Sequence, residues 1–173
     1  MKSSYRQRSI GNRKLSPETL MTSYGYDPFL SEGSVKPPVF LTSTFAFKSA
    51  EDGKDFFDYV SGRRVPPNAQ DAGLVYSRFN HPNLQIVEER LAVLEGGEGA
   101  LMFASGMAAI TAAILAFARP GDTIIHSQPL YGGTETLLVG TLAPFGLKAQ
   151  GFMDGLHETA VMDAVKRSEG TKV

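Results

Sequence analysis

Three short stretches of the chain combine residue types that can do chemistry. The first is Ala104-Ser105-Gly106-Met107, where a buried strand is expected to turn into a helix. Such a junction aims free backbone N–H groups and the positive helix end outward, a ready seat for an anion. Ser105 is placed to cap, and Gly106 lets a phosphate approach the backbone. Every βα turn has this shape, so a plain tight turn accounts for the same residues. The second stretch is Leu74-Val75-Tyr76-Ser77-Arg78-Phe79. In an extended chain Tyr76 and Arg78 fall on one face at period two. A phenol beside a guanidinium suits a phosphate ester, because Arg offers a planar fork of donors and Tyr adds one more. A surface Arg beside a half-buried Tyr is the simpler alternative. The third is Leu130-Tyr131-Gly132-Gly133-Thr134. Tyr131 would face the crevice at the carboxyl edge of a parallel sheet, where α/β folds bind ligands, or would pack against its own helix start. No GxGxxG or Walker pattern is present, which disfavours dinucleotide and nucleoside triphosphate sites.

The elements that must position these stretches follow from pattern. Ser16-Pro17-Glu18 starts a helix. Residues 24–38 read as an irregular arm, and Val39 to Phe47 as an extended segment. A short helix is expected over Ser49 to Val60, with Ser49 and Asp52 as a capping pair, and a loop over Ser61 to Gly73. From His81 onward the pattern is regular. Pro82 opens a helix carrying Leu84, Val87, Leu91 and Leu94 at helical spacing, and Gly96-Gly97 ends it. Ala100 to Ala104 reads as a buried strand and Gly106 to Ala118 as an apolar helix. Thr123 to His126 is a second strand, Tyr131 to Leu142 a second helix, Leu147 to Phe152 a third strand and His157 to Arg167 a third helix. The turn at Gly170 leads into a fourth strand. Strands alternating with helices imply right-handed crossovers and a parallel sheet. The helix from Gly106 is apolar all round and needs cover on both sides, more than the chain supplies. The expectation is the front part of a larger α/β domain.

Composition narrows the partners. The chain has 173 residues, 17 Lys and Arg against 18 Asp and Glu, no cysteine and three histidines. Balanced charge leaves no polybasic footprint for nucleic acid. Without cysteine there is no disulfide, iron–sulfur cluster, thiolate metal site or Cys nucleophile. His81, His126 and His157 are too scattered for a local metal motif, so no metal is expected. Met1 to Pro17 is basic and free of acids, as in a mobile N-terminal arm or a transit peptide. The uncharged run from Gly99 to Ala118 is broken by Ser105-Gly106, and no membrane partner is expected.

Taken together, the motifs PPVFLTSTF, YSRFNHPN, LEGGEGALMFASGMAAI, RPGDTII and LYGGT resemble, in order and spacing, the Cys/Met-metabolism family of pyridoxal-phosphate (PLP) enzymes. That family includes cystathionine γ-synthases, cystathionine γ-lyases, methionine γ-lyases and homoserine-ester sulfhydrylases, and the resemblance covers roughly residues 35–173. It implies an α/β, type I PLP-dependent transferase-like (aspartate aminotransferase-like) large domain with a mainly parallel sheet, incomplete in this chain. Residues 1–80 would form an N-terminal arm and intersubunit segment, and residues 81–173 the first part of the cofactor domain. The resemblance implies pyridoxal 5'-phosphate as cofactor, with Ser105, Gly106 and Met107 at its phosphate and Tyr131 stacked on its ring. It implies that Tyr76 and Arg78 reach the phosphate of a neighbouring subunit's cofactor, and it marks Tyr131 and Tyr76 as catalytic. A homodimer or homotetramer, a small amino-acid substrate and a cytoplasmic location follow from the same resemblance.

The family's Schiff-base lysine and pyridine-binding aspartate are expected beyond Val173, since Lys172 lacks the surroundings of that lysine. The isolated chain is therefore expected to be inactive and to be one piece of a longer enzyme. Its reaction would make or break a C–S bond at Cγ of a homoserine- or cysteine-derived amino acid. The alternative is a non-catalytic remnant that keeps the phosphate cradle and dimer contacts as an interaction module. Gly133 stands where classical methionine γ-lyases carry a cysteine. Arg63 and Arg64, in the 61–73 loop, are either candidates for an acidic substrate group or two solvated arginines.

Overall fold

The computed structural model describes residues 4–66, 73–168 and 173. The chain forms two compact units, Met1–Met102 and Phe103–Val173. In the first, the basic N-terminal segment from Ser4 onward is not a loose arm. Ser4–Arg6 makes one 3-10 turn, and β1 (Ser9–Ile10) pairs antiparallel with β2 (Arg13–Lys14). Gly11, at φ +57°, opens the two-residue loop between them, a position that favours glycine. The Arg6 guanidinium grips the Glu89 carboxylate through two nitrogens, with Nε donating to Oε2 at 2.8 Å. That hydrogen bond, reinforced by the charge of Glu89, raises the Arg6 pKa against partial burial.

Helix α1 (Pro17–Ser23) begins as its sequence requires, with Ser16 Oγ accepting from Thr19 N and Pro in the first turn. It buries Leu20 and packs against α3 (Pro82–Leu94). Between these helices, 24–38 is irregular apart from a 3-10 turn at Pro28–Ser31, and α2 (Ala50–Val60) starts at the Ser49 cap. Phe56 is the largest side chain wholly buried, within an aromatic cluster with Phe47 and Phe57. The end of α3 is a Schellman turn: Gly97 N donates to Ala92 O, Gly96 N to Val93 O, and Gly96 has φ +68°. The predicted apolar stripe of α3 is not core. Leu84, Val87, Leu91 and Leu94 stay more than a third exposed, and Ala92 and Val93 are buried instead.

One expected strand is absent, and the expected extended segment joins no sheet. Among the described residues, 39–47 form no ladder beyond a single antiparallel bridge, Thr44 to Tyr76. The predicted strand Ala100 to Ala104 is absent, and Leu101, Met102 and Phe103 are exposed. A strand exists only through hydrogen bonds to a neighbour, and no described residue supplies that neighbour.

The second unit holds the parallel sheet. β3 (Thr123–Ser127) pairs with β4 (Lys148–Phe152) in parallel, Thr123 opposite Lys148 and Ser127 opposite Phe152. On the other side of β3, Val173 N donates to Thr123 O and Ile125 N to Val173 O, the alternation of a parallel neighbour. Val173, within the expected fourth strand, is thus bonded to β3 in the parallel pattern; 170–172, including Lys172, and residues 67–72 of the expected loop lie outside the described residues. Helix α4 (Gly106–Phe117) lays Met107, Ile110 and Ile114 on a core of Ala118, Ile124, Leu137, Leu138, Leu142 and Leu147. Its far side, with Leu115 and Phe117, is exposed. The next helical run begins as α5 (Gly132–Thr136), widens to a π turn at Leu137–Leu142 and tightens to 3-10 at Ala143–Phe145. The wider turn puts Leu137, Leu138 and Leu142 all inside. Helix α6 (Glu158–Arg167) follows β4. No helix among the described residues is long and apolar enough to cross a membrane.

Candidate functional site

The site is clearest in the second unit, after β3 and at the start of α4. Ser105 is the N-cap of α4: its Oγ accepts from Ala108 N at 3.1 Å and its carbonyl from Ala109 N at 3.1 Å. The next two N–H groups toward the helix start, on Gly106 and Met107, have no intrahelical acceptor. They point outward at the positive end of a twelve-residue helix. Gly106 has open space where a Cβ would stand, so a ligand meets backbone there without obstruction.

The turn after β3 comes to the same place. Beyond the β3 end, Tyr131 caps α5 and leaves its ring 72% exposed. The ring lies back over Gly133: a Cβ on Gly133 would sit 2.7 Å from Tyr131 Cε1 and 3.1 Å from Met107 Sδ. Thr134 Oγ1 also faces Met107 Sδ, at 4.0 Å. Four residues from the two motifs therefore converge, and a side chain at 133 would require the Tyr131 ring to shift.

Tyr76 and Arg78 are also brought together, but not as the sequence suggested. Period-two spacing predicted a shared strand face. Instead the chain turns: Phe79 N and Asn80 N both donate to Tyr76 O, and Asn80 Nδ2 donates to Gly73 O at 2.7 Å. The turn carries the Arg78 guanidinium to 5.5 Å from the Tyr76 ring centre and 5.6 Å from that of Phe79. Both side chains of the pair are exposed.

Two residues missed by sequence reasoning hold that turn's partner segment. His81 caps α3, its Nδ1 accepting from Asn83 N, while Nε2 lies 3.0 Å from Thr42 O. Asn83 pairs with both backbone groups of Phe40, Oδ1 accepting from N at 3.1 Å and Nδ2 donating to O at 3.0 Å. The signal was the adjacency of His81, Pro82 and Asn83 at a helix start, where short polar side chains reach backbone.

Arg63 and Arg64 each pair with an acid of α2 at the surface. Arg63 Nε donates to Asp58 at 2.8 Å, and Arg64 pairs with Asp55 while covering the Tyr59 ring. The acids of α2 that solvate the helix surface also neutralise the loop's cations. His126 Nδ1 lies beside Ser127 O, and His157, at the start of α6, pairs with Asp154 at the surface. Among the described residues no group of three or more His, Asp or Glu side chains is placed to hold a metal ion.

Comparison with known proteins identifies the family. Residues 18–173 match the family described as Cys/Met metabolism PLP-dependent enzyme. The L-methionine gamma-lyase of Pseudomonas deceptionensis is 40% identical over 124 residues, 72% of this chain and 29% of that protein. The O-acetyl-L-homoserine sulfhydrylase of Corynebacterium glutamicum is 44% identical over 110 residues, 64% of this chain and 23% of that protein. A solved structure of an O-acetylhomoserine (thiol)-lyase from Campylobacter jejuni, containing a pyridoxyl-lysine phosphate, superposes with TM-score 0.72 at 30% identity, over 91% of this chain and 35% of that one. The fold is also that of metB from Corynebacterium glutamicum, at TM-score 0.70 and 23% identity. The chain thus spans about a third or less of the length of these relatives. With residues 18–173 matched, the chain belongs to the Cys/Met metabolism family of PLP-dependent enzymes.

Proposed function

We propose that the chain is the N-terminal portion of an enzyme that makes or breaks a C–S bond at Cγ of a homoserine- or cysteine-derived amino acid, and that it is inactive as an isolated chain. One observation carries the reading above the others. The anion-ready start of α4 and the exposed, glycine-backed Tyr131 meet through Met107 at the end of β3. A dianionic phosphate and a flat aromatic ring side by side match those two features.

The residues present fit the phosphate and one ring face of pyridoxal phosphate. Gly106 and Met107 N–H would donate to the phosphate, Ser105 holding the helix end that orients them. Tyr131 would cover the ring with its own ring and offer Oη as a proton donor or acceptor. Arg78 would add a planar fork of donors and Tyr76 a phenol to the phosphate of a neighbouring subunit's cofactor, which makes the enzyme a dimer or a pair of dimers. When bound, the cofactor supplies the electron sink for negative charge developing at the substrate Cα. The lysine and aspartate that complete the site belong, in this proposal, to the downstream part of the enzyme. The relatives include both a lyase and sulfhydrylases, so the proposal extends to the bond and not to the substrate.

The test is cofactor retention in the full-length protein. Replacing Tyr131 by Ala or Arg78 by Ala should increase loss of pyridoxal phosphate on dialysis, read from its visible absorption. Unchanged retention in either variant refutes that assignment.

A further inference from the structure

We infer that His81 and Asn83 are positioning residues for the Tyr76–Arg78 pair, acting through the backbone of residues 40–45. The inference rests on the proposed role of Tyr76 and Arg78 at the cofactor phosphate.

Among the described residues, the segment 39–47 has one bridge and no ladder to hold it. What holds the segment is the start of α3. Asn83 gives Phe40 both hydrogen bonds that a neighbouring strand would give, at 3.1 and 3.0 Å. Because His81 Nδ1 accepts from Asn83 N at 3.2 Å, the ring proton belongs on Nε2, which donates to Thr42 O at 3.0 Å. His81 is 92% buried, and the Phe45 ring meets it edge-on at 5.7 Å. Two residues thus fix alternate peptide groups on one side of the segment. Its next stretch carries the bridge to Tyr76: Phe45 N donates to Val75 O at 2.9 Å and Ser77 N to Ser43 O at 2.8 Å. The Tyr76 carbonyl then receives Phe79 N and Asn80 N, closing the turn that lays Arg78 over the Tyr76 ring. A helix end is coupled in this way to two exposed side chains, as supporting groups are when they orient the residues that touch a ligand.

A double-mutant cycle in the full-length protein tests this, with pyridoxal phosphate titrated into cofactor-free enzyme and affinity read by fluorescence. Asn83→Ala should weaken affinity by about tenfold, the worth of one to two hydrogen bonds. In the Arg78→Ala background the same substitution should cost little further, because the group it positions is gone. Asn83→Asp, which keeps Oδ1 for Phe40 N and loses the donor to Phe40 O, should fall between. Equal losses in both backgrounds, or no loss in either, overturn the inference. Should Asn83→Ala fail to fold, His81→Phe keeps the ring packing and removes the bond to Thr42, and the same cycle applies. If Arg78→Ala alone leaves affinity unchanged, the role of Arg78 at the phosphate fails first, and that result is distinct from the other two.

Discussion

Thr134 Oγ1 stands 4.0 Å from Met107 Sδ, so the turn after β3 touches the first turn of α4. One motif supplies free N–H groups and the other supplies a flat exposed ring, and Met107 is where they meet. The Tyr131 ring and Met107 crowd Gly133, with consequences that can be measured.

Gly133 lies in the first turn of α5 with ordinary backbone angles, where Gly→Ala usually stabilises by about 0.5–1 kcal/mol. Here the new methyl would stand 2.7 Å from the Tyr131 ring. Gly133→Ala should therefore yield no stabilisation in urea unfolding, and should change Tyr131 fluorescence as the ring is pushed away. A gain of the usual size would show that the ring does not rest there.

Ser105→Ala removes the acceptor for Ala108 N and should cost about 1 kcal/mol of stability, whereas Ser105→Thr should cost much less. The same Ala variant should loosen cofactor binding, because a frayed helix start no longer aims the N–H groups of Gly106 and Met107. Equal stability of the Ala and Thr variants by urea unfolding would contradict the cap.

The π turn makes a packing prediction. Leu138 is 3% exposed and its neighbour Val139 is 61% exposed. Leu138→Ala should destabilise by about 2–5 kcal/mol and Val139→Ala by far less. Comparable losses would place the wider turn elsewhere in the run.

Asp58 sets a pH dependence. Its surroundings disfavour the charged carboxylate, but hydrogen bonds from Arg63 and Lys54, with their charges, outweigh that and hold its pKa below the ordinary carboxylate value. A carboxyl whose pKa is lower folded than unfolded contributes stability above the unfolded pKa, and the contribution is lost as pH falls through the folded value. An NMR titration of Asp58 should give a midpoint below the ordinary value, and Arg63→Ala should raise it. A midpoint unmoved by that substitution removes the pair.

What could be read from the chain divides by range. Helix starts at Ser16, Ser49 and Ser105, and the stop at Gly96-Gly97, depend on neighbours three or four residues away, and local sequence states them. The parallel β3–β4 pair was legible because β-branched and apolar runs alternate with helical ones. The stretch 100–104 has the composition of a buried strand, yet strand formation needs a distant partner that composition does not name. Tyr76 and Arg78 were rightly paired on the wrong geometry: the two-residue spacing fits a strand face, but the hydrogen bonds to Tyr76 O bend the chain into a turn. His81 and Asn83 were missed because their partners, Thr42 and Phe40, are about forty residues away in sequence and are backbone groups without side-chain signature. The stripe Leu84, Val87, Leu91 and Leu94 keeps its helical period while remaining half-exposed, so periodicity located a face and not what covers it.

In the proposed reading, this sequence forms the phosphate-holding front part of a PLP-dependent enzyme. Intact mass together with the visible spectrum of the purified natural protein tests it most directly. The account predicts a polypeptide longer than 173 residues with the visible absorption band of lysine-bound pyridoxal phosphate. A polypeptide of 173 residues with no such band would contradict it.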